Sequence, residues 1–229
     1  MRRPAALLCV LAVVLGVTVG GCARADEPTK PRRTVVPQNT ASSPSPQAPA
    51  KDSLACTLLT PKERRSIAGE KINIVAPGPS NRNAPQCRWV TTLSTPNAIE
   101  IKVVTQTVQI WLRGLPLRID RTIRGGQVDS KYSKRLQAAK QKVLGGADEI
   151  GDAEACDLFS LMVEVNLGVK DLSQVVLRED ATTAAVHKCS KGVYTVLTYS
   201  EPELTPSLPL GEAMKRLVKI AHSRAVKRL

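Results

Sequence analysis

The apolar and polar positions divide the chain into three stretches of different character. Ala5 to Val19 is an apolar run of 15 residues. From Asp26 to Asp52 apolar positions are sparse and aperiodic, and prolines recur. Regular patterns begin only beyond residue 53. Thr60-Pro61-Lys62-Glu63 has an N-cap residue, a proline at the first helical position and a glutamate placed for a capping box, so a helix is expected to run to Ala68 and stop at Gly69. Ile72 and Ile74 predict a short strand. Cys87, Trp89, Thr91 and Leu93 alternate along a second strand. A Ser94-Thr95-Pro96-Asn97 turn leads into Ile99, Ile101 and Val103, which alternate with Glu100 and Lys102 to complete a β-hairpin. Residues 107–119 are mixed: Ile110, Trp111, Leu112 and Leu115 suit a short helix that Gly114 and Pro116 interrupt.

Tyr132, Leu136, Ala139 and Val143 recur at helical spacing up to Gly145-Gly146. Val163, Val165 and Leu167 alternate with Glu164 and Asn166, the spacing of a strand. Val175 with Leu177, and then Val193 to Tyr199, read the same way. The last pattern is a helix from about Leu210 to Lys227. Leu210, Met214, Leu217 and Ala221 form its buried stripe, and Lys215, Lys219, His222 and Lys227 lie largely away from it. The fold class is α+β: one domain, residues 53–229, in which an antiparallel sheet is packed by helices.

The first stretch reads as a leader. Met1-Arg2-Arg3 is a positive start, and a helix over Ala5–Val19 spans about 22 Å, short of the roughly 30 Å hydrocarbon core of a bilayer. It has the form of a lipoprotein signal peptide, residues 1–21, rather than a membrane span. Val19-Gly20-Gly21-Cys22 looks like a lipobox: a branched apolar residue and two small ones before a cysteine whose thiol takes diacylglycerol. Two or three acyl chains such as palmitate anchor durably where one does not. The expected address is the extracytoplasmic face of the cell membrane. Ala23-Arg24-Ala25 offers a competing cut before Asp26, which releases a soluble secreted protein. Residues 22–52 then form a lipidated Pro/Ser/Thr-rich tether, too poor in apolar residues to fold and expected to be a disordered spacer.

Removing the leader leaves 31 Lys+Arg against 20 Asp+Glu, a net +11. A basic protein at this address attracts anionic lipid or an anionic wall polymer. No nucleic-acid motif is present, which makes that partner class the weaker explanation of the charge. Aromatics are 3% of the chain, so the core has to be mostly Val, Ile, Leu and Ala. With Cys9 in the leader and Cys22 acylated, Cys56, Cys87, Cys156 and Cys189 remain, an even number in an oxidising compartment. Separations of 31 and 33 residues favour Cys56–Cys87 and Cys156–Cys189 among the three possible connectivities. The absence of a C-x-x-C pair argues against structural zinc. Ala55-Cys56-Thr57-Leu58-Leu59-Thr60 echoes Ala155-Cys156-Asp157-Leu158-Phe159-Ser160, through an internal duplication or by chance.

The inventory of reactive groups is thin. His187 and His222 are the only histidines, and neither neighbours a nucleophile motif. Asp148, Glu149, Asp152, Glu154 and Asp157 crowd ten residues, but their spacing is not that of a calcium loop, and a solvated acidic turn is the better reading. Trp89 and Trp111 read as core rather than as a sugar platform. No catalytic residue, cofactor or metal site is expected.

The lipobox, the tether, Cys56-Thr57-Leu58-Leu59-Thr60-Pro61, Cys87-Arg88-Trp89, and a late Cys189 strand before a closing helix resemble the mycobacterial-type actinobacterial lipoproteins, a family classed only as a domain of unknown function. The resemblance implies an envelope-facing, disulfide-bonded α+β domain and transfers no catalytic residue. The expected role is a non-enzymatic binding or assembly module of the cell envelope. The rivals are an envelope hydrolase with an unrecognised site and a sensor partner of a membrane complex.

Overall fold

The computed structural model describes residues 53–70, 72–76, 84–93, 98–126, 128–177, 182–204 and 207–229. The leader, Cys22, the tether and the 94–97 turn lie outside them. The described part opens with a 3-10 turn, Leu54–Thr57, and helix α1, Pro61–Ala68. Three strands follow, β1 (Ile74–Val75), β2 (Gln86–Val90) and β3 (Glu100–Thr107). Helices α2 (Val108–Arg113), α3 (Leu115–Arg124), α4 (Ser130–Gly146) and α5 (Asp152–Leu167) come next. Strands β4 (Val176–Leu177), β5 (Thr183–Ser190) and β6 (Val193–Ser200) precede the final helix α6, Leu208–Val226. The strands form one antiparallel sheet in the order β1-β2-β3-β6-β5-β4.

The register sorts the strand residues by face, because side chains alternate and paired residues share a side. Cys87, Trp89, Ile101, Val103, Val186, Leu197 and Tyr199 lie on one face, which we term face A. The 3-10 turn, α1 and α6 cover it: Ala55, Leu58, Leu59, Met214, Leu217, Val218 and Ala221 join these strand residues in one buried cluster. Val104, Tyr194, Val196, His187 and Cys189 lie on face B. A second cluster packs Trp111, Leu112, Ile119, Leu136, Phe159 and Met162 of α2–α5 against that side. The domain is a three-layer sandwich with the sheet in the middle.

Each layer carries its own covalent fastening. Cys56–Cys87 ties the 3-10 turn to β2 on face A, and Cys156–Cys189 ties α5 to β5 on face B. The two-disulfide pairing expected from the cysteine spacing is present. The echo around the two pairs is not a rotational duplication. Strands β1–β3 and β4–β6 run outward from the centre in opposite directions, and β3 is antiparallel to β6. A rotation that relates them keeps equivalent side chains on the same face, yet Cys87 and Cys189 point to opposite faces, and so do α1 and α5.

Local signals explain most of the elements. Thr60 and Glu63 form the capping box of α1, with Glu63 Oε2 2.7 Å from the Thr60 amide, and Gly69 closes the helix at φ 71°. Arg224 of α6 reaches the same glutamate at 2.7 and 2.8 Å and donates to the Leu58 carbonyl, which clasps α6 to α1 and holds the Glu63 carboxyl below its usual range. Strands β5 and β6 are joined by a two-residue turn with Lys191 at φ 50° and Gly192 at φ 70°. The left-handed φ is what favours glycine at 192, and the exposed Asp152 carboxylate lies close over it, 2.6 Å from where a Cβ would stand.

Ile72 precedes β1, Thr91 and Leu93 lie beyond the end of β2, and one expected strand is a helix. Val163, Val165 and Leu167 belong to helix α5 and not to a strand. The helix buries Ala155, Cys156, Phe159, Leu161, Met162 and Val163 against both the sheet and its neighbouring helices. Apolar residues therefore surround much of its circumference, and over five positions that coverage mimics period two. The interrupted stretch 107–119 resolves into two helices, with Gly114 at the joint and Pro116 in the first turn of the second.

The fastening scheme predicts separable effects. Replacing Cys156 and Cys189 by alanine together is expected to cost about 3–4 kcal/mol of unfolding free energy. It should speed amide exchange in α5 while sparing α1. The Cys56→Ala/Cys87→Ala pair should reverse that pattern. Denaturant titration with hydrogen exchange resolved by element measures both.

Candidate functional site

A buried chain of polar groups runs from α6 into face A. His222 is 3% exposed. Its Nε2 lies 2.8 Å from Ser190 Oγ, and its Nδ1 lies 3.1 Å from Thr195 Oγ1. Thr195 Oγ1 is 3.2 Å from Thr105 Oγ1, which donates to the Tyr194 carbonyl at 3.0 Å. The terminal carbonyl can only accept, so it sets every proton upstream. Thr105 spends its hydrogen on Tyr194, Thr195 donates to Thr105, and the histidine donates from Nδ1 to Thr195. Its Nε2 is left to accept the Ser190 hydroxyl. The ring is neutral, and burial holds its pKa down at about 4.

This geometry corrects the expected placement of His222 on the solvated basic side of the last helix. Val218, Ala221 and Ala225 flank it within the buried stripe. The hydroxyls of the sheet give the imidazole the partners that an apolar surface would deny it. The helical pattern alone carries no sign of those hydroxyls, because they come from strands 27 and 32 residues away in sequence.

Chemically, a serine donating to a neutral imidazole has the starting geometry of a nucleophile and its base. Two features set this arrangement apart from a tuned catalytic pair. The group that orients Nδ1 is a hydroxyl, which cannot stabilise an imidazolium as a carboxylate does. A base held near 4 is also poorly matched to neutral pH. What the chain does achieve is to fasten α6 to β5, β6 and β3 through satisfied hydrogen bonds.

His187 sits on face B, on the other side of the sheet from His222. It is buried beside the Phe159 ring, 6.3 Å between centroids, and its Nδ1 has no partner among the described residues. Burial lowers its pKa to about 4 as well. The structure does not bring the two histidines together.

The acidic run disperses. Asp148 pairs with Arg113, Glu154 with Lys142, and Asp152 lies over Gly192. Only Asp148 and Glu149 sit in a short turn, while Asp152, Glu154 and Asp157 belong to α5. Among the described residues no three His, Cys, Asp or Glu side chains gather as a metal site. Trp89 and Trp111 are 2% and 6% exposed and belong to the two cores, where Arg64 and Arg118 stack on their rings.

A shallow, open groove of about 570 Å³ lies between β4 and the first turns of α6, lined by Val175, Leu177, Ala184, Leu208 and Leu210 among others, with Glu212 and Lys215 paired at its rim. Among the described residues no helix is long and apolar enough to cross a membrane. Searches of family models, curated proteins and solved structures find no match to this chain.

The histidines make an acid limb predictable. A folded pKa of about 4 against 6.5 means that protonation favours the unfolded chain. Their contribution is whole above pH 6.5 and is lost as pH falls toward 4, at most about 3 kcal/mol each. Unfolding free energy should therefore drop between pH 6.5 and 4. His222→Ala should cost about 2–4 kcal/mol at pH 7 and shrink that drop by roughly half, measured by denaturant midpoints across pH.

Proposed function

We propose that this chain is an exported lipoprotein of the cell envelope, cleaved before Cys22 and anchored there. It would hold its α+β domain on the extracytoplasmic face of the membrane as a binding or assembly module. The support that weighs most is the use of the cysteines. Of six, four close two layer-to-sheet disulfides, and Cys9 lies in the leader segment. Cys22 is left, directly after the small pair Gly20-Gly21. Disulfides persist where glutathione and thioredoxin do not reach them, which is the compartment the leader addresses.

The C-x-L-L-T-P and C-R-W motifs favour the actinobacterial lipoproteins as the family. Two buried histidines on opposite faces and dispersed acids support a binding rather than a catalytic reading. Ala23-Arg24-Ala25 supports a second reading, a diffusible secreted form that starts at Asp26.

The two readings part in an intact-mass measurement on the full-length gene product expressed with its own leader. Anchoring predicts a membrane-extracted chain that begins at Cys22, bears diacylglyceryl and fatty acyl mass, and gains the hydrogens of two disulfides on reduction. Cys22→Ala should remove the acyl mass and keep the chain from maturing at that site. A lipid-free chain starting at Asp26 in the medium would overturn the anchor.

A further inference from the structure

The positive charge is concentrated on one helical pair. Between Leu115 and Gly146 there are eight Lys+Arg and two Asp+Glu, a net +6 of the +11 that follows residue 21. Helices α3 and α4 are joined by Gly125–Asp129, a connection short enough to make them antiparallel neighbours, and Lys140 of α4 pairs with Asp120 of α3. Their buried stripes, Leu115 with Ile119 and Leu136 with Ala139 and Val143, face the domain.

The opposite sides point to water. On α3, Leu117, Arg121 and Arg124 recur at helical spacing and are all exposed. Lys131 and Lys134 are exposed on α4. Arg121, Arg124, Lys131 and Lys134 have no carboxylate partner among the described residues.

Two leucines break the cationic surface. Leu117 is 65% exposed and Leu144 61%. In an antiparallel pair, three residues before Asp120 and four after Lys140 is the same end, one turn beyond the ion pair. A cationic helical surface that carries exposed leucines at one end has the two components an interfacial membrane contact requires. The charges meet anionic headgroups and the leucines enter the acyl boundary. A soluble polyanion would use the charges and leave the leucines idle.

We propose that the exposed side of the α3–α4 hairpin docks on an anionic bilayer, with Arg121, Arg124, Lys131 and Lys134 on the headgroups and Leu117 and Leu144 inserted. This surface belongs to the face B layer, whereas the chain enters the domain at Ser53, beside the face A turn. The 30 residues between Cys22 and Ser53 can extend to about 100 Å. That exceeds the roughly 40 Å breadth of a domain of this size, so the tether can pass around it. The inference rests on the proposed anchor for its biological setting only, since the contact itself needs no acyl chain.

The test uses the mature chain from residue 22 with Cys22→Ser, so that binding cannot come from lipidation. It is sedimented with vesicles of pure phosphatidylcholine or of phosphatidylcholine with phosphatidylglycerol. Binding is expected only with the anionic lipid and should weaken with salt. Arg121→Glu/Arg124→Glu should reduce partitioning at least about 25-fold, at roughly fivefold per cation. Lys219→Glu/Lys227→Glu on α6, with the same change of charge, should have far less effect.

Leu117→Ser/Leu144→Ser should weaken binding without altering the melting temperature. In a Leu117→Trp variant the added emission should shift to the blue on anionic vesicles. Equal binding to both vesicles would overturn the proposal, as would equal loss from the α6 control. Leucine variants that bind as wild type, with inorganic polyphosphate competing fully, would assign the surface to a polyanion and overturn it too. Failure of the acyl mass at Cys22 would leave this result standing, and the reverse holds.

Discussion

Both faces of the central sheet are apolar, and neither can be left to water. That constraint organises the molecule. A six-stranded antiparallel sheet usually exposes one side, and its strands then alternate cleanly between apolar and polar. Here Ile101, Val103, Leu197 and Tyr199 need one cover, and Tyr194, Val196 and His187 need another. Aromatics are 3% of the chain, and five of the six are buried in these two clusters, so each cover combines a few large rings with many small aliphatic contacts. A disulfide from each cover to the sheet limits how far either layer can separate in the unfolded ensemble. It adds a covalent fastening beside the aromatic anchors that each cover packs on, Trp89 and Tyr199 on face A and Trp111, Phe159 and Tyr194 on face B.

The polar groups inside this sandwich follow the same logic. Burying an imidazole in an aliphatic interior is unfavourable unless its nitrogens are occupied. On face A the Ser190, Thr195 and Thr105 hydroxyls form a one-way relay that ends on a carbonyl, and His222 becomes a fixed strut between helix and sheet. On face B His187 has no such relay among the described residues, and it lies beside Phe159. Identical residue types thus serve different ends. One is satisfied and adds rigidity. The other has no hydrogen-bond partner for Nδ1 among the described residues and is packed against an aromatic ring in the layer that α5 closes.

Much of this was legible residue by residue. The capping box at Thr60 and Glu63 marked α1, period two marked β3 and β6, and near-equal spacings marked both cysteine pairs. These are local signals, or signals that depend on chain separation alone. What stayed hidden depends on the partner surface. Helix α5 is apolar on several sides because it packs on a sheet and on helices at once, so its period cannot be read from one face. His222 looked solvated because its partners are strand hydroxyls that no helical wheel displays. The mirror-like relation of the two halves was likewise invisible, since a six-residue echo says nothing of which face a cysteine takes.

The distribution of charge shows how the layers divide their work. Helix α6 spends its buried stripe on face A, and α1 clasps it through Arg224 and Glu63. That layer is committed to holding the fold and receiving the chain at Ser53. The α3–α4 pair lies at the outer edge of the other layer, where it needs only two short apolar stripes to stay attached and can carry most of the net charge. If the chain is tethered at Cys22, contact between this surface and the bilayer becomes an intramolecular event. The attraction that recruits the free chain to an anionic surface then acts at high effective concentration and orients the tethered one. Cations outside the Debye length of the membrane add little to that orientation, so placing them on one exposed hairpin achieves what the same number scattered over the surface could not.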